Sequence, residues 1–484
     1  MIIVKQGDLY MNYFPPQSDG KIRLKVQNLG AVKNASLEIK PLTIFIGPNS
    51  SGKTYMAYLI AEMFGFFSYL MYMTQISLKK LIGSYPISIE IFNDLIQLNK
   101  KEIDIIKTFN DYGPLYFEQI ANYSPKWLPL YFGTEKEKFS KLKISVDISD
   151  KLNEAYRNLE LLSFKKMVKS QNKRSSLYAI KKSHDRMIKF HIKNNVNDFS
   201  AEEIKKFIIE IMFMCFRKSI FNQIRVFGAE RTGLSFLFHT EATERSKKEP
   251  TIIEKQDIVE LIKGLGVSFP VLDLFAEIDL LRESTNSQKN KKPANKKYTE
   301  LSKILENEIL GGTIDFSKAK NIKNRKILFN WGIDKKIALE IPLVSSNVKG
   351  IISLVLILKY STEQNDLIII DEPEMNLHPE AQVKLIEFIT MLINANINVI
   401  ITTHSPYFVD HLVNLMKADK SENKDILKEK FFLKNTDSFI SQNKVAIYLF
   451  NKGTVNNILE ESGLIDWQTF GDISEYISEL YFLI

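Results

Sequence analysis

The chain has 484 residues, a formal net charge of +8 and one cysteine, with 45% hydrophobic and 25% charged residues. That length buries a large core, in two or three lobes, and the composition excludes a disordered chain. Cys215 excludes an internal disulfide framework and a cysteine-rich zinc site within this chain, and its apolar setting IMFMCFRK marks a buried, inert thiol. The basic excess permits an acidic partner such as nucleic acid without requiring one. The opening MIIVKQGDLYMNYF lacks a secretory-signal pattern, so a cytoplasmic protein is expected.

In chain order, KIRLKVQNLGAVKNASLEIKPLTIFIG predicts three short strands with a turn at Asn28-Leu29-Gly30. Ile22, Leu24 and Val26 alternate with polar residues, as do Ala35, Leu37 and Ile39. The third strand, Thr43 to Ile46, lacks that alternation, as a strand covered on both faces does. Met56 to Met73 is apolar almost throughout but holds Glu62, Gly65 and Ser68. A helix buried under a sheet needs the same character, and no membrane span is expected.

From about Tyr55 to Gln223 the pattern is helical, and Ser200 with Glu203 forms a capping box that opens one helix. QIRVFGAERTGL reads as a strand running into a turn. STNSQKNKKPANKK, Ser284 to Lys297, reads as an exposed basic loop. From Lys326 strand character returns in KILFNWGIDKKIALEIPL. A helix at Val348–Tyr360, a strand at Asp366–Ile370, a helix at His378–Asn394 and a strand at Asn398–Thr402 complete an α/β alternation.

Three separated motifs carry chemistry. Gly47-Pro48-Asn49-Ser50-Ser51-Gly52-Lys53-Thr54 fits the phosphate-loop pattern G-x-x-x-x-G-K-[ST] between strand and helix. Its glycines let the backbone approach phosphate oxygens, and the N–H groups from Asn49 to Tyr55 open a helix as an anion cradle. Lys53 is placed to reach the β- and γ-phosphates of ATP, and Thr54 to ligate Mg²⁺. In DLIIIDEPEMNLHPEAQ an apolar strand delivers Asp371 to hold Mg²⁺ through its water shell and Glu372 to polarise an attacking water. In NVIITTHSPYFVDHL another strand ends at His404, where a neutral imidazole could bond the γ-phosphate or that water. His411 and His378 lack such a setting and read as structural or interfacial.

The order GPNSSGKT, IIIDEPEMNLHP, ITTHS resembles the ATP-binding-cassette-type ATPases of the SMC/RecF and OLD group. Within it the chain is most similar to stand-alone ATPases of bacterial anti-phage operons, including the ATPase subunits of the PARIS and Septu systems. The match covers roughly Lys21–Tyr69 and Ile341–Leu415, with an echo of an Ala-Glu-Arg segment in VFGAERTGL. The resemblance implies an α/β, cassette-type nucleotide-binding domain with a mixed sheet and a large, mostly α-helical insertion.

The expected division is residues 1–65 for the first part of the ATPase domain and 66–222 for the helical insertion. Residues 223–240 give a return strand, 241–325 a second helical region with the basic loop, and 326–484 the rest of the ATPase domain. The resemblance further implies a homodimer, or a higher assembly, closed around ATP. Its signature loop would be PLVSSNVKGIISLVLILKY, with Ser345, Ser346 and Lys349 at a helix N-terminus as an anion site. Asn347 departs from the family there, where many members carry a glycine. Asn376 falls in the D-loop that would face the partner, and Gln75 is the candidate for the Q-loop. Glu230-Arg231 reads either as a buried ion pair or as a switch that links ATP state to the insertion.

The densest basic stretch, SFKKMVKSQNKRSSLYAIKKSHDRMIKFHIK, holds Lys165, Lys166, Lys169, Lys173, Arg174, Lys181, Lys182, Arg186 and Lys189 against one acid, Asp185. A solvated helix face is one reading; a face for backbone phosphates or an acidic protein is the other. No Toprim or HNH nuclease pattern is found, so a separate effector protein from the same operon is expected, with a phage protein or nucleic acid as trigger. The alternatives are a RecF/SMC-like DNA-processing ATPase, disfavoured by the lack of sustained heptads, and a transporter subunit, disfavoured by the long insertion.

Overall fold

The computed structural model describes residues 20–134, 139–233, 267–284, 295–317, 326–332, 337–465 and 479. Its centre is a mixed sheet in the order β5 (Lys143–Asp147), β1 (Ile22–Leu29), β2 (Val32–Ile39), β16 (Thr454–Asn457), β15 (Val445–Asn451), β3 (Leu42–Ile46), β14 (Asn398–Thr403), β13 (Leu367–Asp371), β9 (Ile224–Phe227). The last five of these run parallel, whereas β5, β1 and β2 form an antiparallel wing. Period-two alternation sorts the parallel strands between two cores. Phe45, Ile369, Ile400 and Tyr448 enter one, with the helix Lys53–Phe64 and the insertion. Ile44, Ile368, Ile401 and Ile447 enter the other, with the helices Ser346–Tyr360, Pro379–Asn394 and Pro406–Asp419. Both faces of β14 and β13 are buried, which explains their unbroken apolar sequences.

Two features depart from the sequence reading. The strands after Lys326 do not enter the main sheet; β10 (Gly312–Phe316), β11 (Ile327–Trp331) and β12 (Ile337–Glu340) make a separate antiparallel sheet. β15, for which no strand was expected, instead fills the place beside β3.

The insertion also needs correcting. It contains the helices Phe66–Gln75, Ile105–Tyr131 and Ala201–Ile220 among others, the last opened by the expected capping box. But it also carries an antiparallel sheet in the order β4 (Lys100–Asp104), β8 (Met187–Lys193), β7 (Ser176–Lys181), β6 (Phe164–Lys169). The basic stretch is therefore a β-meander, not a helix face. Its hidden signal is period two: Leu177, Ala179, Ile188, Phe190 and Ile192 are buried while their neighbours are not. The basic loop falls mostly on 285–294, outside the described residues; Ser284 ends one helix and Lys296 opens the next.

No single described helix is long and apolar enough to cross a membrane. Met56–Met73 spans two helices bent by 58° at Gly65, and most of its side chains lie in the first core. Cys215 is buried there too, its thiol pushed up to about 12 by burial.

The same core buries Glu62, neither of whose carboxylate oxygens has a hydrogen-bond partner among the described residues. Burial pushes its pKa up to about 8 from the ordinary 4.5, with Ser124 opposing weakly. Folding therefore takes up a proton, and this stability is present below pH 4.5 and lost as pH rises through about 8. Glu62→Gln removes the titration. Thermal melts should show the variant above the native protein by roughly 2–4 °C at alkaline pH, the gap closing toward pH 5. A gap independent of pH would contradict the buried-carboxyl assignment.

Candidate active site

Parallel pairing levels the strand ends. Ile46 lies opposite Thr403, Thr402 opposite Asp371, and Ile370 opposite Phe227. The segments that leave these carboxyl ends thus emerge side by side, where open α/β sheets bind ligands.

The phosphate loop leaves β3 and opens the helix Lys53–Phe64. Gly47 has φ 140°, and a Cβ there would stand 2.2 Å from the Phe450 carbonyl oxygen. Gly52 has φ 101°, and its Cβ would meet Val32 Cγ2 at 2.7 Å. Side chains at either position would push the loop off the sheet. The cleft above has a volume of about 760 Å³ and is lined by Ala31, Asn49, Ser50, Ser51, Gly52, Lys53, Thr54, Tyr55, Glu372 and His404. Tyr55 is held edge-on against Phe132, with ring centroids 4.9 Å apart.

Lys53 is buried, and its ammonium donates to the carbonyls of Gly47 at 3.0 Å and Pro48 at 2.9 Å. Burial holds its pKa below the ordinary value against the pull of Glu372 and Asp371. The Thr54 hydroxyl donates to the Asp371 carboxylate at 3.0 and 3.2 Å, and Thr402 donates to the same group. Burial nevertheless raises the Asp371 pKa, the state of a carboxylate that a cation would relieve. Ser51 Oγ is buried without a partner among the described residues. An orphaned hydroxyl, a parked ammonium, a bare anion cradle and the Thr54–Asp371 oxygen pair fit a Mg²⁺-triphosphate. Bound Mg²⁺ would supply charge neutralisation across the phosphate oxygens.

Glu372 follows at φ 50°, its N–H donating to the Thr402 carbonyl at 3.0 Å and hydroxyl at 3.1 Å. That left-handed turn carries the carboxylate to 3.5 Å from His404 Nε2. Burial first, and then Lys53, hold the His404 pKa below its ordinary 6.5, so the ring is neutral at neutral pH. The site therefore pairs a carboxylate able to accept a water proton with an imidazole able to donate one hydrogen bond.

Sequence reasoning missed four supports. Glu374 accepts from the His404 N–H at 2.7 Å and the Thr403 hydroxyl at 2.8 Å, clamping the turn that presents the histidine. Gln382 accepts from Ser405 Oγ at 2.6 Å. Thr402 and Ala31 complete the list; none has a motif signal beyond its nearness to one. Arg231 was singled out, but it makes no ion pair with Glu230. It donates to the carbonyls of Asp371 at 2.6 Å, Glu372 at 2.8 Å, Gly228 at 3.1 Å and Gly350 at 3.0 Å.

Other sites lie apart. Ser345, Ser346, Lys349 and Asn376 do not line the cleft of their own chain. Ser345 stands at the N-cap position of the helix Ser346–Tyr360 without a side-chain cap bond; its hydroxyl donates to Asn347 Oδ1, which also accepts from the Val348 N–H at 2.7 Å. Lys349 donates to the Pro342 carbonyl at 3.2 Å, and Asn376 is exposed in a left-handed turn. Gln75 is not in the cleft either, because its helix packs into the insertion, where it accepts from the Trp127 indole at 2.9 Å. His378 caps the helix Pro379–Asn394, and His411 bonds Glu387 at 2.9 Å.

The basic set divides as well. Lys165, Lys166, Lys169, Lys173, Arg174 and Lys182 are exposed, and Arg186 pairs with Asp104 at 3.0 Å. Lys181 leaves the set: period two turns it inward, where its amine donates to the carbonyls of Glu160, Leu162 and Lys182.

Residues 22–409 match the model of the AAA ATPase domain family, and the chain belongs to that family. Comparison with curated proteins gave no match. Among solved structures the chain is similar to an Smc head bound to the C-terminal winged-helix domain of ScpA, at 10% identity and a TM-score of 0.35, over 90% of this chain and 97% of that one. It is similar also to an Smc head domain with an extended coiled coil bound to the C-terminal domain of ScpA, derived from Pyrococcus furiosus. There the identity is 11% and the TM-score 0.34, over 95% of this chain and 98% of the other.

Two measurements check the site. Lys53→Ala should weaken ATP binding by about 100-fold or more in a fluorescent-nucleotide titration, since a buried charge-assisted contact is lost; unchanged affinity would move the phosphates elsewhere. In the nucleotide-free protein the His404 ring resonance should titrate below pH 6.5, because burial favours the neutral ring. A midpoint above 6.5 would make Glu372 the dominant influence instead.

Proposed function

We propose that this ATPase is the sensor and scaffold of an anti-phage defence complex, closing as a homodimer around Mg-ATP and controlling a separate effector, a toxin or nuclease. The observation that carries the dimer is the separation of the phosphate-loop cleft from a second, exposed helix start, which the resemblance makes an anion site. The phosphate-loop cleft holds Lys53, Thr54, Glu372 and His404, whereas Ser345 and Ser346 stand exposed at another helix start outside it. A second copy that brings its exposed helix start over the first cleft supplies the missing wall, twice, by two-fold symmetry.

Arg231 supports the switch. Its guanidinium joins the Asp371–Glu372 backbone to Gly350 in the helix that starts after Ser345. Movement of the acidic turn on hydrolysis would therefore pull on the helix that faces the partner. The defence role and the separate effector rest on the motif order GPNSSGKT, IIIDEPEMNLHP, ITTHS and its likeness to the ATPases of such operons.

Glu372→Gln keeps the shape of the acid and removes its capacity as a base. In Mg-ATP the variant should elute at twice the mass of the nucleotide-free protein and turn over ATP about 100-fold more slowly or less. A native hydrolysis rate would remove Glu372 from the chemistry, and a single mass with and without ATP would end the nucleotide-closed dimer. Gain of salt-sensitive DNA binding on closure, with no effector co-purifying from the operon, would favour the DNA-processing alternative instead.

A further inference from the structure

We propose that the free edge of β6, with the cleft beside it, receives an extended segment of a second protein as an added strand, one carrying acidic and apolar side chains. Among the described residues β6 ends its sheet and pairs with β7 alone. Five of its six residues are exposed, leaving a row of backbone groups open to an incoming strand.

A cleft of about 920 Å³ lies against this edge and touches Lys166, Met167 and Val168 in succession. Successive side chains of a strand point to opposite faces, so a cavity that meets three in a row abuts the strand's edge. Its exposed wall is mostly apolar, with Phe66 43%, Met167 48% and Leu280 58% exposed. These are the pockets that alternate side chains of an added strand would fill. Its charged lining is mixed: Lys166, Arg217 and Lys218 against Glu210 and Asp273, while Arg225 and Glu277 pair with each other.

Charge defines the occupant. The strand reads FKKMVK, three lysines and no acid. Edge lysines also guard a sheet against self-pairing, and by themselves say no more than that. The second observation lies deeper. Arg217, 6% exposed, lines the same cleft, and its Nε and Nη1 have no hydrogen-bond partner among the described residues. Two guanidinium nitrogens buried without hydrogen bonds are costly even with the Asp273 carboxyl acting on the same charge, and a carboxylate delivered by a ligand would relieve them. Lysines that repel a like edge thus select an acidic one. The proposal does not depend on ATP binding.

The test is a selection of random peptides, about 12 residues long to span the strand with flanks, against the full chain. Synthetic copies of the winners are then titrated by fluorescence anisotropy. Acidic peptides with alternating apolar residues should be enriched. Their affinity should fall about tenfold or more in Lys166→Glu and in Arg217→Met and stay unchanged in Lys182→Glu, an exposed charge outside the cleft. Arg217→Met should melt no lower than the native protein, because it deletes a buried charge two of whose nitrogens have no hydrogen bond among the described residues. No enriched peptide, equal losses in Lys166→Glu and Lys182→Glu, or a melting point that falls with binding in Arg217→Met would each overturn the proposal. So would release of a pre-existing dimer by Lys166→Glu, which would give the edge to a second copy.

Discussion

The active site depends on one constraint, the level termination of adjacent parallel strands. Because Ile46 pairs with Thr403 and Asp371 with Thr402, a phosphate loop and the acidic pair and histidine that follow more than three hundred residues later must leave the sheet together. The flanking strands hold that register under load. β15 backs the phosphate loop through Phe450, and β9 backs the acidic strand through Arg225, whose guanidinium grips Asp366 at 2.5 Å and Glu277 at 2.9 Å. The site is held in place because the loops that line it spring directly from the ends of packed strands.

The polar groups at these strand ends bond mostly to one another and to their own loop, as groups that would exchange partners for a nucleotide do. Thr54 and Thr402 both point at one carboxylate whose burial still penalises its charge. Lys53 rests on carbonyls of its own loop, and Ser51 has nothing to bond. Each group is incomplete in a way that a metal-bound polyphosphate completes. Arg231 is the opposite case. Its four hydrogen bonds among the described residues all go to carbonyls, so it reads backbone position rather than charge, which suits a strut between the acidic turn and the helix that carries Ser345.

The convergence of the three motifs on one candidate site was legible because phosphate binding needs glycines, lysine and hydroxyl in fixed order, and because buried strands write themselves as apolar runs before a polar end. The helix limits around Asp371 and His404 were read to within a few residues for that reason. The sequence was less legible elsewhere. The meander of β6, β7 and β8 alternates with lysines on the outer face, and surrounding helices made that run look helical. Gln75 was misplaced because nothing in its neighbours tells that Trp127 takes its carbonyl. β15 went unread although β16 pairs with it across the turn at Lys452-Gly453; its other partner, β3, lies four hundred residues earlier. Glu374 and Gln382 act on backbone and hydroxyl groups, contacts that no local pattern announces.

Cleft and exposed helix start would together form one enclosed site only if two chains share each nucleotide. Complementation tests this directly. Lys53→Ala disables the cleft side, and Ser346→Arg disables the facing side. Each should be inactive alone, while an equal mixture should regain roughly a quarter of native ATPase activity, since random pairing restores one intact site in half the dimers. A mixture as silent as its components, or a Ser346→Arg protein as active as the native one, would contradict the shared site.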